Sequence, residues 1–262
     1  PAGGSSSAII GTSGNDSITG TEGDDEILGL AGDDDIEGLG GDDLIDGGSG
    51  HDDIEGGGGD NVIYAGDGND YLSITIDELP GDPLGGLNVL FGEAGEDHFQ
   101  VYNALPGQQL FGGADNDLLT ITATDGTILS GGAGSDIFRF SSYNADHEII
   151  DFDADLGGDK IDVSYLLTYF INYAEANPFD TGHLRLVQSG ADTLLQVDPD
   201  GAAGGFAYHT LVRLTGISTN WLVAGNFGGY DPDGWRPPGL TLWGWEGDDA
   251  TFVGGIGYVE IE

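Results

Sequence analysis

The sequence predicts an all-β protein made of stacked short repeats closed by a β-rich cap. Three observations predict it. From Gly11 to Ser73 the chain runs through seven consecutive nonapeptides without an insertion. Each nonapeptide places one large apolar residue at its eighth position. Beyond residue 180, alternating apolar stretches replace the repeat. The bulk composition agrees: 262 residues carry 47 acidic against 5 basic side chains, a net charge of -42, with 50 Gly and no Cys. That excludes disulfides, thiolate metal sites and a cysteine nucleophile. The charge repels nucleic acid and anionic lipid, no apolar run reaches the roughly 18 residues of a membrane span, and cations are the partners it invites.

The repeat comes first. Position four is always Gly: Gly14, Gly23, Gly32, Gly41, Gly50, Gly59 and Gly68. Position six is Asp16, Asp25, Asp34, Asp43, Asp52, Asn61 and Asp70. Position eight is Ile18, Ile27, Ile36, Ile45, Ile54, Ile63 and Leu72. Gly suits a turn that needs positive φ. One apolar side chain per nine ordered residues is little burial to set against backbone entropy. Stacking the turns also brings carboxylates together, and residues 1–138 hold 28 of the acids and no Lys or Arg. Folding therefore needs an outside cation. Oxygen donors without Cys or clustered His select a hard ion such as Ca2+, which tolerates six to eight oxygens more readily than Mg2+.

These residues match G-G-x-G-x-D-x-U-x, so the chain resembles the RTX (repeats-in-toxin) proteins, calcium-binding bacterial proteins exported by type I systems. The resemblance implies a parallel β-roll. Six residues of each nonapeptide turn, three form a strand, and two nonapeptides complete a coil. It also implies ions held between turns eighteen residues apart. The pairs are then Asp16/Asp34, Asp25/Asp43, Asp34/Asp52 and Asp52/Asp70, with a weaker Asp43/Asn61 site and turn carbonyls completing each shell. About five ions are expected in this stretch. Looser repeats extend the metal set to Asp97, Asp117 and Asp136, the middle one with Asp115 where Gly is expected. Residues 74–90, with Pro80 and Pro83, read as an insertion loop. The expected organisation is an N-terminal segment 1–10, the roll 11–144, a cap 145–217 and a Trp-rich tail 218–262.

The cap resembles a type I secretion target domain, on Glu148–Ser164 and on Gly182–Gly201. Strands are expected over Leu184–Val187, Thr193–Val197 and Thr210–Leu214, and a short helix over Tyr165–Glu175. A cap is needed because an open solenoid end exposes apolar residues and strand edges. Asp151, Asp153, Asp155, Asp159 and Asp162 stand at relative positions 1, 3, 5, 9 and 12, like an EF-hand loop, but Leu156 replaces its Gly and Asp162 its Glu. All four Trp fall in the tail, where strands are expected over Leu240–Trp245 and Thr251–Glu262. The tail aromatics either pack the cap or offer a contact surface.

Enzyme signatures are missing. His147-Glu-Ile-Ile-Asp151 stops short of HExxH, no GxSxG occurs, and the five His are scattered. His51 falls at a variable repeat position, where a surface residue is expected. No enzyme activity is expected. Pro1–Ser7 has neither part of a signal peptide, which fits export to the cell exterior by a type I exporter. Pro1 fits a mature start and equally a start within a longer protein. Two functions follow. One is a structural protein that folds on extracellular Ca2+ and associates with other copies of itself into a surface layer, filament or matrix. The other is a C-terminal folding and export module of a larger adhesin or exoenzyme.

Overall fold

The computed structural model describes residues 8–75, 86–102, 106–122, 126–143, 146–171, 173 and 176–232. Sixteen strands form the roll. They are β1 (Ile9–Ile10), β2 (Ser17–Thr21), β3 (Glu26–Ala31), β4 (Asp35–Leu39), β5 (Leu44–Ser49), β6 (Asp53–Glu55), β7 (Val62–Asp67), β8 (Tyr71–Thr75), β9 (Val89–Ala94), β10 (His98–Tyr102), β11 (Gln109–Ala114), β12 (Leu118–Thr122), β13 (Ile128–Ala133), β14 (Ile137–Phe140), β15 (His147–Ile149) and β16 (Lys160–Asp162). Odd strands lie in one sheet and even strands in the other, each paired in parallel with the strand two along. The chain is a β-solenoid, as the repeat predicts.

Side chains alternate across a strand, so the single Ile of each repeat points inward. In-register pairs stack Ile27 on Ile45 and Ile45 on Ile63 in the odd sheet, and Ile18, Ile36 and Ile54 in the even sheet. All are buried. Many strands are longer than the expected three residues, although β6, β15 and β16 keep that length. β3 and β5 run on through Gly29 and Gly47 to Ala31 and Ser49, because pairing resumes at Leu30↔Gly48 beyond the position-one Gly. The ends of the expected loop over 74–90 are strand as well: Ile74 lies in β8, Leu90 in β9, and both are buried. Residues 76–85 lie outside the described residues.

The even sheet changes character along its length. Two residues after the buried Ile, β2 and β4 place Gly20 and Gly38. From β8 onward the same place holds Ile74, Val101, Ile121 and Phe140, with Val163 just past β16. All five are at most 1% exposed, a second apolar column absent from the early coils.

Coils continue past residue 144 through β15 and β16, and the cap joins the same sheet. β17 (Leu184–Ser189), β18 (Asp192–Val197) and β19 (His209–Leu214) are antiparallel to one another, as the alternation predicts, and β19 pairs in parallel with β15. The helix is shorter than expected: α1 covers Ser164–Leu167, burying Leu166 and Leu167, and a run of turns follows. A 3-10 turn at Ala224–Phe227 covers the edge of β16, where Asn226 Nδ2 donates to the Asp159 carbonyl at 3.0 Å. At the opposite end of the roll, among the described residues, Ile10 on β1 is 60% exposed. Of the tail, Trp221 sits on a 3-10 turn and is exposed. Trp235, Trp243, Trp245 and the strands expected there lie outside the described residues. No helix among the described residues is long and apolar enough to cross a membrane.

Candidate metal-binding turns

Alternation of strands between sheets sorts the turns onto two edges. Turns leading from odd to even strands form edge one, with Asp16, Asp34, Asp52, Asp70, Asp97, Asp117, Asp136 and Asp159 at the sixth position. Turns leading from even to odd strands form edge two, with Asp25, Asp43, Asn61, Asn88, Gln108, Thr127 and His147.

Edge one is a continuous hydrogen-bonded ladder; on edge two the Thr127 hydroxyl is buried without a partner. On edge one the Oδ1 of every rung accepts the backbone N–H of the rung before it. The seven steps from Asp16 to Asp159 measure 2.8–3.0 Å. Edge two follows the same plan, with Asp25 N–H on Asp43, Asp43 on Asn61 and Asn61 on Asn88 at 2.9–3.0 Å. Asn88 N–H then donates to Gln108 Oε1 at 2.8 Å, and Thr127 N–H to His147 Nδ1 at 3.2 Å. Every Asp pair expected from the repeat is thus a pair of adjacent rungs. His51 lies outside the rungs, exposed, its Nδ1 accepting from Asn69 N–H at 3.0 Å.

The second carboxylate oxygen is the informative atom. Oδ2 of Asp34, Asp43, Asp52, Asp70, Asp97, Asp117 and Asp136 is buried and has no hydrogen-bond partner. Burying a carboxylate without a partner is costly. Burial raises the pKa of Asp43 and Asp52 to about 6, of Asp97 to about 7 and of Asp117 to about 8. It also raises Asp70 and Asp136. The Gly at position one makes room for this oxygen. A Cβ on Gly29 would stand 2.6 Å from Asp34 Oδ2, and one on Gly47 2.6 Å from Asp52 Oδ2 and from the Ala65 carbonyl. A row of buried oxygens without donors, set among turn carbonyls, fits a hard cation such as Ca2+. No point among the described residues gathers three acidic or histidine side chains. A cation here must therefore draw on backbone carbonyls as well.

The first turn on each edge differs. Asp16 Oδ2 accepts from the Thr12 N–H at 2.5 Å and the Thr12 hydroxyl at 2.9 Å. Asp25 Oδ2 is served in the same way by Thr21, at 2.6 and 2.9 Å. The threonine hydroxyls also accept from Gly14 and Gly23 N–H. These two glycines stay out of the left-handed region that Gly32, Gly41 and Gly50 adopt. Asp115, in the glycine place of a later turn, has φ +76°.

The resemblance of Asp151–Asp162 to an EF-hand does not carry over to the geometry. Asp162 is paired with Arg139 at 2.8 Å, and Asp151 accepts from Gly131 and Gly132 N–H at 3.1 Å. Asp159 is the last rung of edge one. Sequence reasoning missed that role, although Gly157-Gly-Asp159-Lys-Ile161 repeats the Gly-x-Asp-x-Ile pattern with Gly157 at φ +88°. It also missed Asn88 and Gln108, which no repeat match flags.

The RTX calcium-binding nonapeptide repeat model matches residues 10–45 and 46–73. No curated protein sequence matches the chain. Among solved structures, the chain is similar to the extracellular lipase LipA of Serratia marcescens at 20% identity and TM-score 0.28, covering 86% of this chain and 40% of the lipase. It is also similar to the AlgE6R3 subunit of the Azotobacter vinelandii mannuronan C5-epimerase at 22% identity and TM-score 0.26, covering 96% and 99%. The AlgE6R2 subunit matches at 21% and 0.20, covering 87% and 96%. TM-scores of this size carry no argument. The nonapeptide match and the rung geometry together identify residues 10–73 as RTX calcium-binding repeats, the opening coils of a β-solenoid.

Proposed function

We propose that the chain is a secreted protein that folds on extracellular Ca2+ and serves a structural role, associating with its own copies into a layer, filament or matrix. The observation that carries the calcium part is the row of seven buried, partnerless Oδ2 atoms in a region without one basic residue. Asp34, Asp43, Asp52, Asp70, Asp97, Asp117 and Asp136 would hold the ions, which supply the positive charge that the stacked turns lack. Each site at hundredfold saturation adds about 2.7 kcal/mol. Extracellular modules bind calcium at about 10⁻⁴–10⁻³ M, far above cytosolic levels. The chain thus stays open and exportable inside and folds outside, which fits a type I exporter as its route.

Self-association is supported by the uneven outer surface. On the even sheet, Asp35 pairs with Asp53 and Glu37 with Glu55 in register. On the odd sheet Glu26 and Asp46 stand outward in front, but from β7 on the outward places hold the half-buried Val62, Tyr64, Val89, Phe91 and Ile128, among others. There the Tyr64, Phe91 and Phe111 rings stack at 4.9 and 5.0 Å. Two chains of charge -42 meet with least repulsion across such a face. Analytical ultracentrifugation with circular dichroism through a calcium titration tests both parts. Folding with growth into large species is expected. Folding to a strict monomer would overturn the structural role and leave the folding and export module of a larger adhesin or exoenzyme.

A further inference from the structure

The two edges start alike and then diverge, and the divergence has a chemical content. Asn61 occupies its rung as an aspartate would, with Oδ1 accepting from Asp43 N–H at 2.9 Å. Its Nδ2 stands where the preceding turns hold an orphaned Oδ2. A Cβ on Gly56 would lie 3.2 Å from Asn61 Nδ2, as one on Gly47 would lie 2.6 Å from Asp52 Oδ2. That Nδ2 is not orphaned. It donates to the Gly56 carbonyl at 3.2 Å and the Gly57 carbonyl at 3.4 Å, within its own turn. Farther along, Asn88 Nδ2 and Gln108 Nε2 both donate to the Gly86 carbonyl, at 3.3 and 2.7 Å. An amide presents an acceptor to one neighbour and a donor to another, so it joins a rung N–H to a turn carbonyl without outside help. A carboxylate presents only acceptors. Facing carbonyls, it repels them unless a cation stands between.

We propose that behind Asn61 cations are confined to edge one, where they run from Asp34 to Asp136, while on edge two the amides of Asn61, Asn88 and Gln108 take the cation's place. Among the described residues, six of the seven orphaned carboxylate oxygens lie on edge one, and Asp43 is the single edge-two exception, before the switch. The file ends at Asp136, since Asp159 Oδ2 is served by the Asp153 N–H at 2.8 Å. Asp136 is fully buried with Oδ2 unpartnered, and Asp159 Oδ1 takes its N–H at 3.0 Å. The second apolar column begins one edge-two turn after the switch, since Gly56 still precedes Asn61. From Ile74 onward, the even strands that feed edge-two turns bury a large side chain where β2 and β4 have Gly. Apolar contact and neutral hydrogen bonds do on that edge what ions do on the other. The rear coils are thereby tied on one side without metal.

This assignment rests on the calcium reading, and the tests separate the two. Mn2+, which shares the preference for oxygen donors, is added in trace amounts to the native, calcium-loaded full chain, and backbone amide signals are followed by NMR. Loss of signal is expected at Asp97, Asp117 and Asp136 and not at Asn88, Gln108 and Thr127. Equal loss on both edges overturns the one-sided assignment. Counting calcium by native mass spectrometry gives a second measure. Asn61→Asp is expected to bind one ion more than the native chain, and Asp136→Asn one fewer. Unchanged counts in both overturn the assignment, and the Mn2+ experiment decides if either variant fails to fold. A native chain that binds no calcium overturns the calcium reading itself.

Discussion

The front coils, through residue 73, and the rear coils behind them solve the same packing problem differently. In front, each coil has one apolar residue per sheet, and carboxylate turns on both edges begin the stack. Behind, edge one is unchanged, but edge two has become neutral and the even sheet has gained Ile74, Val101, Ile121, Phe140 and Val163. The neutrality extends to His147, whose pKa burial lowers to about 4, so its ring stays uncharged against Phe140 at 5.0 Å. The contrast teaches that a carboxylate-and-glycine turn and an amide-and-aliphatic turn are interchangeable units of one solenoid. On the proposed assignment the first couples folding to calcium, and the second does not.

Removing calcium should break this comparison most visibly. In chelator near pH 8, hydrogen exchange should rise through residues 11–73 well before it rises in β13–β19. Simultaneous loss in both regions would show that the rear coils gain nothing from their second column. The pH response sharpens the point. The folded pKa values of Asp43, Asp52, Asp97 and Asp117 lie above the unfolded value near 3.8, so the metal-free fold favours the protonated form. That contribution is full below pH 4 and is lost as pH rises through 6 to 8. In chelator, thermal melting should therefore move up on acidification from pH 8 to 5. In calcium the trend should reverse, since ions require ionised carboxylates.

Phe140→Ala comes next, with an expected cost of about 3–5 kcal/mol for a large buried side chain. Denaturant melts should show the same loss at limiting and at saturating calcium, because this residue belongs to the metal-independent column. Gly47→Ala should cost about 1–3 kcal/mol by crowding Asp52 Oδ2 and the Ala65 carbonyl, and should weaken calcium binding in a titration. Gly14→Ala meets nothing within 4 Å and serves as its control. The smallest effect belongs to Thr21→Val. Losing the hydroxyl that bonds Asp25 Oδ2 should lower stability by about 0.5–1.5 kcal/mol in the same melts.

The nonapeptides were legible because each needs the same three residue types at the same places, whatever its neighbours. Gly, Asp and Ile at positions four, six and eight are local demands of turn, rung and core. The cap strands were legible for a related reason, since alternation along Thr193–Val197 marks a half-buried strand wherever it lies. Asn88, Gln108 and Asp159 were not legible as rungs. Asn88 follows Asn61 by 27 residues, Gln108 follows Asn88 by 20, and Asp159 follows Asp136 by 23, so no fixed period finds them.

The sequence by itself determined the repeating unit, the buried column and the surplus of carboxylate that calls for a cation. Only the tertiary structure decided which turns share an edge. Edge membership depends on how many strands have been laid down, not on distance along the chain, and insertions change the distance without changing that count. Whether a carboxylate Oδ2 finds a donor is likewise settled by its neighbours in space. Thr12, Thr21 and the Asp153 N–H satisfy those of Asp16, Asp25 and Asp159, the rung carboxylates from Asp34 to Asp136 find none, and the Asn61 amide has no second carboxylate oxygen to satisfy.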